Sequence, residues 1–137
     1  MDILQGGDND DYITGGDGDD VISGFDGRDE LLGNDGIDHI FGGRQRDRIF
    51  GGAGMDVVSG QGGNDVVRGG AGNDEVLGGA GTDRLFGEAG DDLLSGNGGN
   101  DFFLGGDGSD SFFGGAGTDT GLDVGEAGES SIENSAG

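Results

Sequence analysis

Large apolar residues recur along this chain at a fixed interval of nine. Ile13, Ile22, Leu31, Ile40, Ile49, Val58, Val67, Val76, Leu85, Leu94, Phe103 and Phe112 each follow the last by nine positions. Each sits inside a three-residue stretch, which suits a short strand with one inward side chain. No such unit buries its apolar face alone, so the period predicts neighbours stacked on one another.

The polar positions keep the same beat. With Gly6 as position one, position six is aspartate in thirteen consecutive nonapeptides: Asp11, Asp20, Asp29, Asp38, Asp47, Asp56, Asp65, Asp74, Asp83, Asp92, Asp101, Asp110 and Asp119. Position one is glycine in all thirteen, and no insertion breaks the phase. The unit, clearest in Gly69–Leu77 and Gly78–Phe86, is Gly-Gly-x-Gly-x-Asp-x-apolar-x. Glycines at one, two and four allow the φ > 0 backbone of a tight reversal. The expectation is therefore six residues of turn, then three of strand, with position eight alone pointing inward. Asp2–Gln5 fits the end of a truncated earlier copy, and Gly121 replaces the apolar residue in the thirteenth. This divides the chain into a repeat domain, 1–122, and an acidic tail or cap, 123–137.

Composition changes the picture. Of 137 residues 38 are glycine, and 29 acidic against 6 basic residues give a formal net charge of −23. Low hydrophobicity with high net charge ordinarily means disorder, and glycine loses the most backbone entropy on ordering. Folding must draw on more than an apolar core. The absence of cysteine excludes disulfides and thiolate metal sites. No apolar run reaches the roughly 18 residues of a membrane span, and Met1–Gln5 does not resemble a signal peptide. The charge argues against nucleic acid and anionic membranes and points to cations.

The nonapeptide resembles the RTX (repeats-in-toxin) calcium-binding repeat, over residues 6–122. The resemblance implies a right-handed parallel β-roll with two repeats per turn and two sheets of short strands. It implies Ca²⁺ between loops stacked along each edge, held by the position-six carboxylates. Carbonyls of the position-four glycines complete the implied ligand set: Gly18, Gly27, Gly36, Gly54, Gly63, Gly72, Gly81, Gly90, Gly99, Gly108 and Gly117. It also implies bacterial type I secretion, the chain leaving unfolded and folding outside the cell or at its surface.

Physical chemistry agrees with the metal. Two repeats per turn stack like-numbered carboxylates about 4.8 Å apart, the strand spacing. Charges that close oppose ionisation unless a cation lies between them. Carboxylate and carbonyl oxygens, without histidine or cysteine, suit Ca²⁺ over Mg²⁺. Seven odd-numbered loops enclose six sites and six even-numbered loops five, so up to about eleven ions are expected. Their charge would nearly cancel the chain's −23. Repeat five departs from the pattern, with Arg44, Gln45, Arg46 and Arg48 around Asp47. An arginine there is expected to weaken or replace the ions on either side, lowering the count.

Other features carry less. Leu32, Phe50, Phe86 and Leu104 form an outward stripe for lateral self-association, and unpaired sheet ends offer end-to-end pairing. His39 is the only histidine, expected to be solvated, with no partner for zinc. Catalysis is not expected: the carboxylates are committed to calcium and a convex roll offers no cleft. The leading function is a secreted calcium-binding module that folds on binding its ions, structural rather than catalytic. The alternatives are a calcium-dependent fibre or surface adhesin, and a fragment of a larger secreted toxin, protease or lipase.

Overall fold

The computed structural model of the protein describes residues 1–122. The expected tail or cap, 123–137, lies outside the described residues.

The described chain forms fourteen strands and no helix. They separate into two parallel sheets of seven. Sheet one stacks Ile3–Gly7, Val21–Asp26, His39–Arg44, Val57–Gly62, Glu75–Ala80, Leu93–Gly98 and Ser111–Ala116. Sheet two stacks Tyr12–Asp17, Glu30–Asp35, Arg48–Ala53, Val66–Ala71, Arg84–Ala89, Phe102–Asp107 and Thr120–Leu122. Consecutive strands alternate between sheets, so each residue pairs with the one eighteen positions on: Leu31 with Ile49, Ile49 with Val67, Val67 with Leu85. Two repeats make one turn of an all-β parallel roll of about seven turns. Even-numbered repeats build sheet one and odd-numbered repeats sheet two.

The core is the period-nine ladder. Ile22, Leu31, Ile40, Ile49, Val58, Val67, Val76, Leu85, Leu94 and Phe103 are fully buried, with Phe112 almost so. Phe103 and Phe112 meet at 5.9 Å between ring centroids. Leu4 and Ile13 flank the ladder at its N-terminal end.

The strands are longer than the sequence suggests. Most run six residues, from position seven of one repeat to position three of the next, leaving three residues for each loop. Alternation continues through the glycines: in Glu30–Asp35 both Leu31 and Gly33 are buried. Position one is thus a second inward position, corrected from the expectation that only position eight faces in. Its glycine is not in the left-handed region; positive φ falls at positions two and four. Glycine is required at position one by space. A methyl group on Gly15 would lie 2.7 Å from Asp20 Oδ2 and 2.9 Å from the Gly33 carbonyl oxygen. The missing side chain makes room for the aspartate that ends the same loop.

Candidate metal centre

Each position-six aspartate enters the roll as its loop closes, and its carboxylate is divided between two tasks. One oxygen is fully engaged. From Asp20 onward, Oδ1 accepts a hydrogen bond from the backbone N–H of the aspartate one turn earlier. On the even-repeat edge Asp38 donates to Asp56 at 2.9 Å, Asp56 to Asp74 at 2.8 Å and Asp74 to Asp92 at 2.8 Å. On the other edge Asp47 donates to Asp65, Asp65 to Asp83 and Asp83 to Asp101, each at 2.8 Å. The backbone carbonyls of the aspartates bind the strand above, as where His39 N–H donates to Asp20 at 2.8 Å. Adjacent aspartates such as Asp74 and Asp83 therefore belong to different ladders. This amide-to-carboxylate ladder is absent from the sequence reading. Its signal is the aspartate unbroken at position six, where glutamate, one methylene longer, never appears.

The other oxygen is orphaned in twelve of the thirteen: Oδ2 of Asp11, of each position-six aspartate from Asp20 to Asp101, and of Asp119 is buried without a hydrogen bond. Asp20 to Asp101, ten carboxylates in all, are at most 3% exposed. A buried anionic oxygen without a donor or cation is costly. Burial pushes the carboxyls of Asp47, Asp74 and Asp83 up to about 7, helped by the like charges one turn away and opposed by the backbone hydrogen bond. Burial raises Asp65 and Asp92 to about 6. It raises Asp29, Asp38, Asp56 and Asp101 as well. Arg46 pulls Asp65 the other way, the only arginine felt at any of these nine carboxyls.

These donors fit a hard cation. Among the described residues no three His, Cys, Asp or Glu side chains converge, so further oxygens must come from the backbone. The backbone offers them. A Cβ on Gly36 would fall against the Gly18 carbonyl oxygen, and one on Gly54 against that of Gly36. The same holds for Gly72, Gly90 and Gly108 on that edge, and for Gly81, Gly99 and Gly117 on the other. Position-four carbonyls thus line the seam between successive loops, and their glycines hold φ between +109° and +142°. Gln45 takes this conformation without being glycine, at φ 74°. The glycines at Gly27 and Gly63 face the carbonyls of Asn9 and Gln45. Calcium held in this seam would supply the positive charge that the orphaned carboxylate oxygens lack.

The remaining candidates sit on the outer faces. His39 is exposed. Leu32, Phe50, Phe86 and Leu104 are half-buried rather than open. Arginines cover the rings: Arg68 lies 5.9 Å from the Phe50 centroid and 4.6 Å from that of Phe86, and pairs with Glu88 at 3.0 Å. The face of sheet one is not smooth. An open hollow of about 800 Å³ lies over it between Phe25, Phe41 and Gln61. No described helix is long and apolar enough to cross a membrane.

A search of curated proteins returned no match. The family model for the RTX calcium-binding nonapeptide repeat, itself four copies long, matches in overlapping windows: 1–31, 23–58, 32–67, 50–85, 59–94 and 86–120. With that coverage, and with the same repeat visible as a roll with one aspartate in every loop, the chain belongs to the RTX calcium-binding nonapeptide repeat family.

Proposed function

We propose that the protein is an extracellular calcium-dependent scaffold, unfolded where calcium is scarce and folded as a rigid β-roll where it is plentiful. The observation that carries this is the row of twelve buried Oδ2 atoms without a hydrogen bond, from Asp11 to Asp101 and at Asp119. Without a cation the fold must keep these carboxylates protonated or leave their charge uncompensated, and near neutral pH both cost stability. Ion binding is then folding free energy, as in other metal-coupled folds. Cytosolic calcium is too low to fill such sites, while extracellular modules work near 10⁻⁴–10⁻³ M, roughly the range expected here. The role is structural, the orphaned carboxylates being reserved for the metal.

Small-angle scattering tests the reading. In chelator the radius of gyration is expected near the roughly 38 Å of an unfolded chain of this length. Millimolar calcium is expected to bring it down more than twofold. A compact particle in chelator would overturn the coupling.

Lateral association through the Phe50–Arg68–Phe86 face is a second reading. It rests on the interleaving of rings and guanidiniums on a flat sheet. Replacing both Phe50 and Phe86 by serine is expected to abolish any calcium-dependent oligomer seen by ultracentrifugation. An unchanged oligomeric state would remove this surface from consideration.

A further inference from the structure

The seams between loops are not all built alike. Eleven lie between the thirteen full loops, each spanned by one amide-to-carboxylate bond of the aspartate ladder. Two further clasps reinforce them. In the first, the position-four N–H donates to the position-three carbonyl of the next turn, as Gly54 to Ala71 at 2.8 Å and Gly63 to Ala80 at 2.9 Å. This clasp spans every even-edge seam, and every odd-edge seam from repeat seven upward. In the second, a position-five aspartate or asparagine accepts the position-five N–H one turn on. Asp10 accepts from Arg28, Asp19 from Ile37, Asn64 from Thr82, Asn73 from Asp91, Asp91 from Ser109 and Asn100 from Thr118.

Two seams have neither clasp. They lie on the odd edge, between Asp29 and Asp47 and between Asp47 and Asp65. The sequence explains the missing second clasp at both seams and the missing first clasp at Gln45, whereas Gly27 lacks the first clasp although it is a glycine. Arg28 and Arg46 occupy position five, so no short side-chain acceptor is present. Gln45 replaces glycine at position four, in a left-handed conformation that glutamine adopts poorly. The same place concentrates positive charge. Arg28 pairs with Asp10 at 3.5 Å, Arg44 with Asp26 at 3.7 Å and Arg48 with Glu30 at 3.4 Å. Arg46 stands beside them in the same surface hollow as Arg28 and Arg48. A guanidinium roughly 6 Å from a divalent ion opposes it by about tenfold even at the dielectric constant of water.

We infer that these two seams are a separate, weak class of site, left open at calcium concentrations that saturate the other nine. The inference rests on the calcium reading above and adds an order of loading to it. The even edge carries an unbroken metal ladder. The odd edge carries one that is interrupted at repeat five and bridged on one side of it by the Arg44–Asp26 and Arg48–Glu30 pairs. The interruption falls between the second and fourth strands of sheet two, Glu30–Asp35 and Val66–Ala71, where Arg48 and Arg68 both reach the ring of Phe50. Contacts independent of metal therefore span the region the ions leave.

Native mass spectrometry of the full chain reads the ion count directly. About nine tightly held ions are expected at a calcium concentration a few-fold above the folding midpoint, two more joining only at tenfold higher concentration or beyond. A triple variant, Arg28→Asn, Gln45→Gly and Arg46→Asn, supplies the position-five acceptor at both seams, returns glycine to position four at the second and removes two charges, and is expected to hold two more ions in the tight class. Anomalous scattering from wild-type crystals grown at the lower concentration is expected to show no peak between Asp29 and Asp47 or between Asp47 and Asp65. Eleven equivalent ions in the wild type, or peaks in those two seams, would overturn the inference and leave the calcium reading standing. No bound ion at all would overturn both.

Discussion

Two residue types in each repeat are tied to one another at a distance of five. Position-one glycine exists so that the position-six carboxylate can turn inward, which separates glycines of apparently equal rank. A methyl group on Gly69 would press on Asp74, 2.8 Å from its Cβ and 2.9 Å from its Cγ. At Gly62 it would find nothing closer than 3.6 Å. Gly69→Ala is therefore expected to destabilise the calcium-loaded roll by about 1–3 kcal/mol, the range for an overpacked core. Gly62→Ala is expected to be nearly neutral, and alanine already stands at the equivalent position in Ala71 and Ala80. Urea denaturation in saturating calcium separates the two, and equal midpoints would show that position one is not sterically closed. Asp74→Asn keeps an oxygen for the Asp56 N–H but removes the charge, so its effect should fall on calcium. The folding midpoint is expected to rise by several-fold in calcium concentration, and an unchanged midpoint would dissociate Asp74 from the metal.

At the level of the loop, the aspartate ladder links pH to folding. A carboxyl whose proton affinity rises on folding takes up protons as the chain folds. Asp47, Asp74 and Asp83 go from an ordinary 3.8 to about 7 in the roll. Below about pH 4 these groups are protonated in both states and impose no charge penalty. Between about 4 and 7 the unfolded chain ionises while the fold resists, and metal-free stability falls as pH rises. In chelator, β structure is accordingly expected to be greater at pH 5 than at pH 8. Calcium affinity should run the opposite way, since the ion displaces those protons. Circular dichroism across that range checks the sign, and more β structure at pH 8 in chelator would contradict it.

The elements also show how far the sequence could be read. The apolar ladder is visible as periodicity. The pairing of residue with residue eighteen on, and with it the membership of Asp74 and Asp83 in different edges, is implied by the resemblance to the RTX repeat, since a period of nine does not say how many repeats make a turn. The strand extension through positions one to three is not visible. Glycine has no side chain to register on a hydrophobic pattern, so the inward turn of Gly33 beside Leu31 leaves no trace in the sequence. The Oδ1 hydrogen bond left only an indirect signal, the unbroken choice of aspartate over glutamate at position six, because it depends on where a backbone amide lies one turn away. Repeat five was legible as an anomaly of charge, through Arg44 and Arg46. That Gly27 and Gln45 lose the position-four clasp needed coordinates.

Among the described residues the acidity is concentrated at the edges of the roll, where the position-six aspartates stand. The central strands of sheet two even carry Arg48, Arg68 and Arg84 on the face that also holds Glu30 and Glu88. With −23 charges and 38 glycines the metal-free chain has both self-repulsion and entropy against it. Monovalent salt screens surface charge but reaches a buried ladder poorly. Sodium chloride at a few hundred millimolar is therefore expected not to replace calcium. Magnesium, which demands a tight octahedron and keeps its waters, is expected to fold the chain poorly at the concentration where calcium succeeds. Folding driven equally by both divalent ions would point to charge neutralisation without a built site.

The most direct test of calcium-coupled folding is a far-ultraviolet circular dichroism titration of the full chain, begun in chelator at pH 7.5. A disordered spectrum that converts cooperatively to β structure between about 10⁻⁴ and 10⁻³ M free calcium, and reverts on chelation, is the predicted result. A β-sheet spectrum already present in chelator, unchanged as calcium is added, would contradict it.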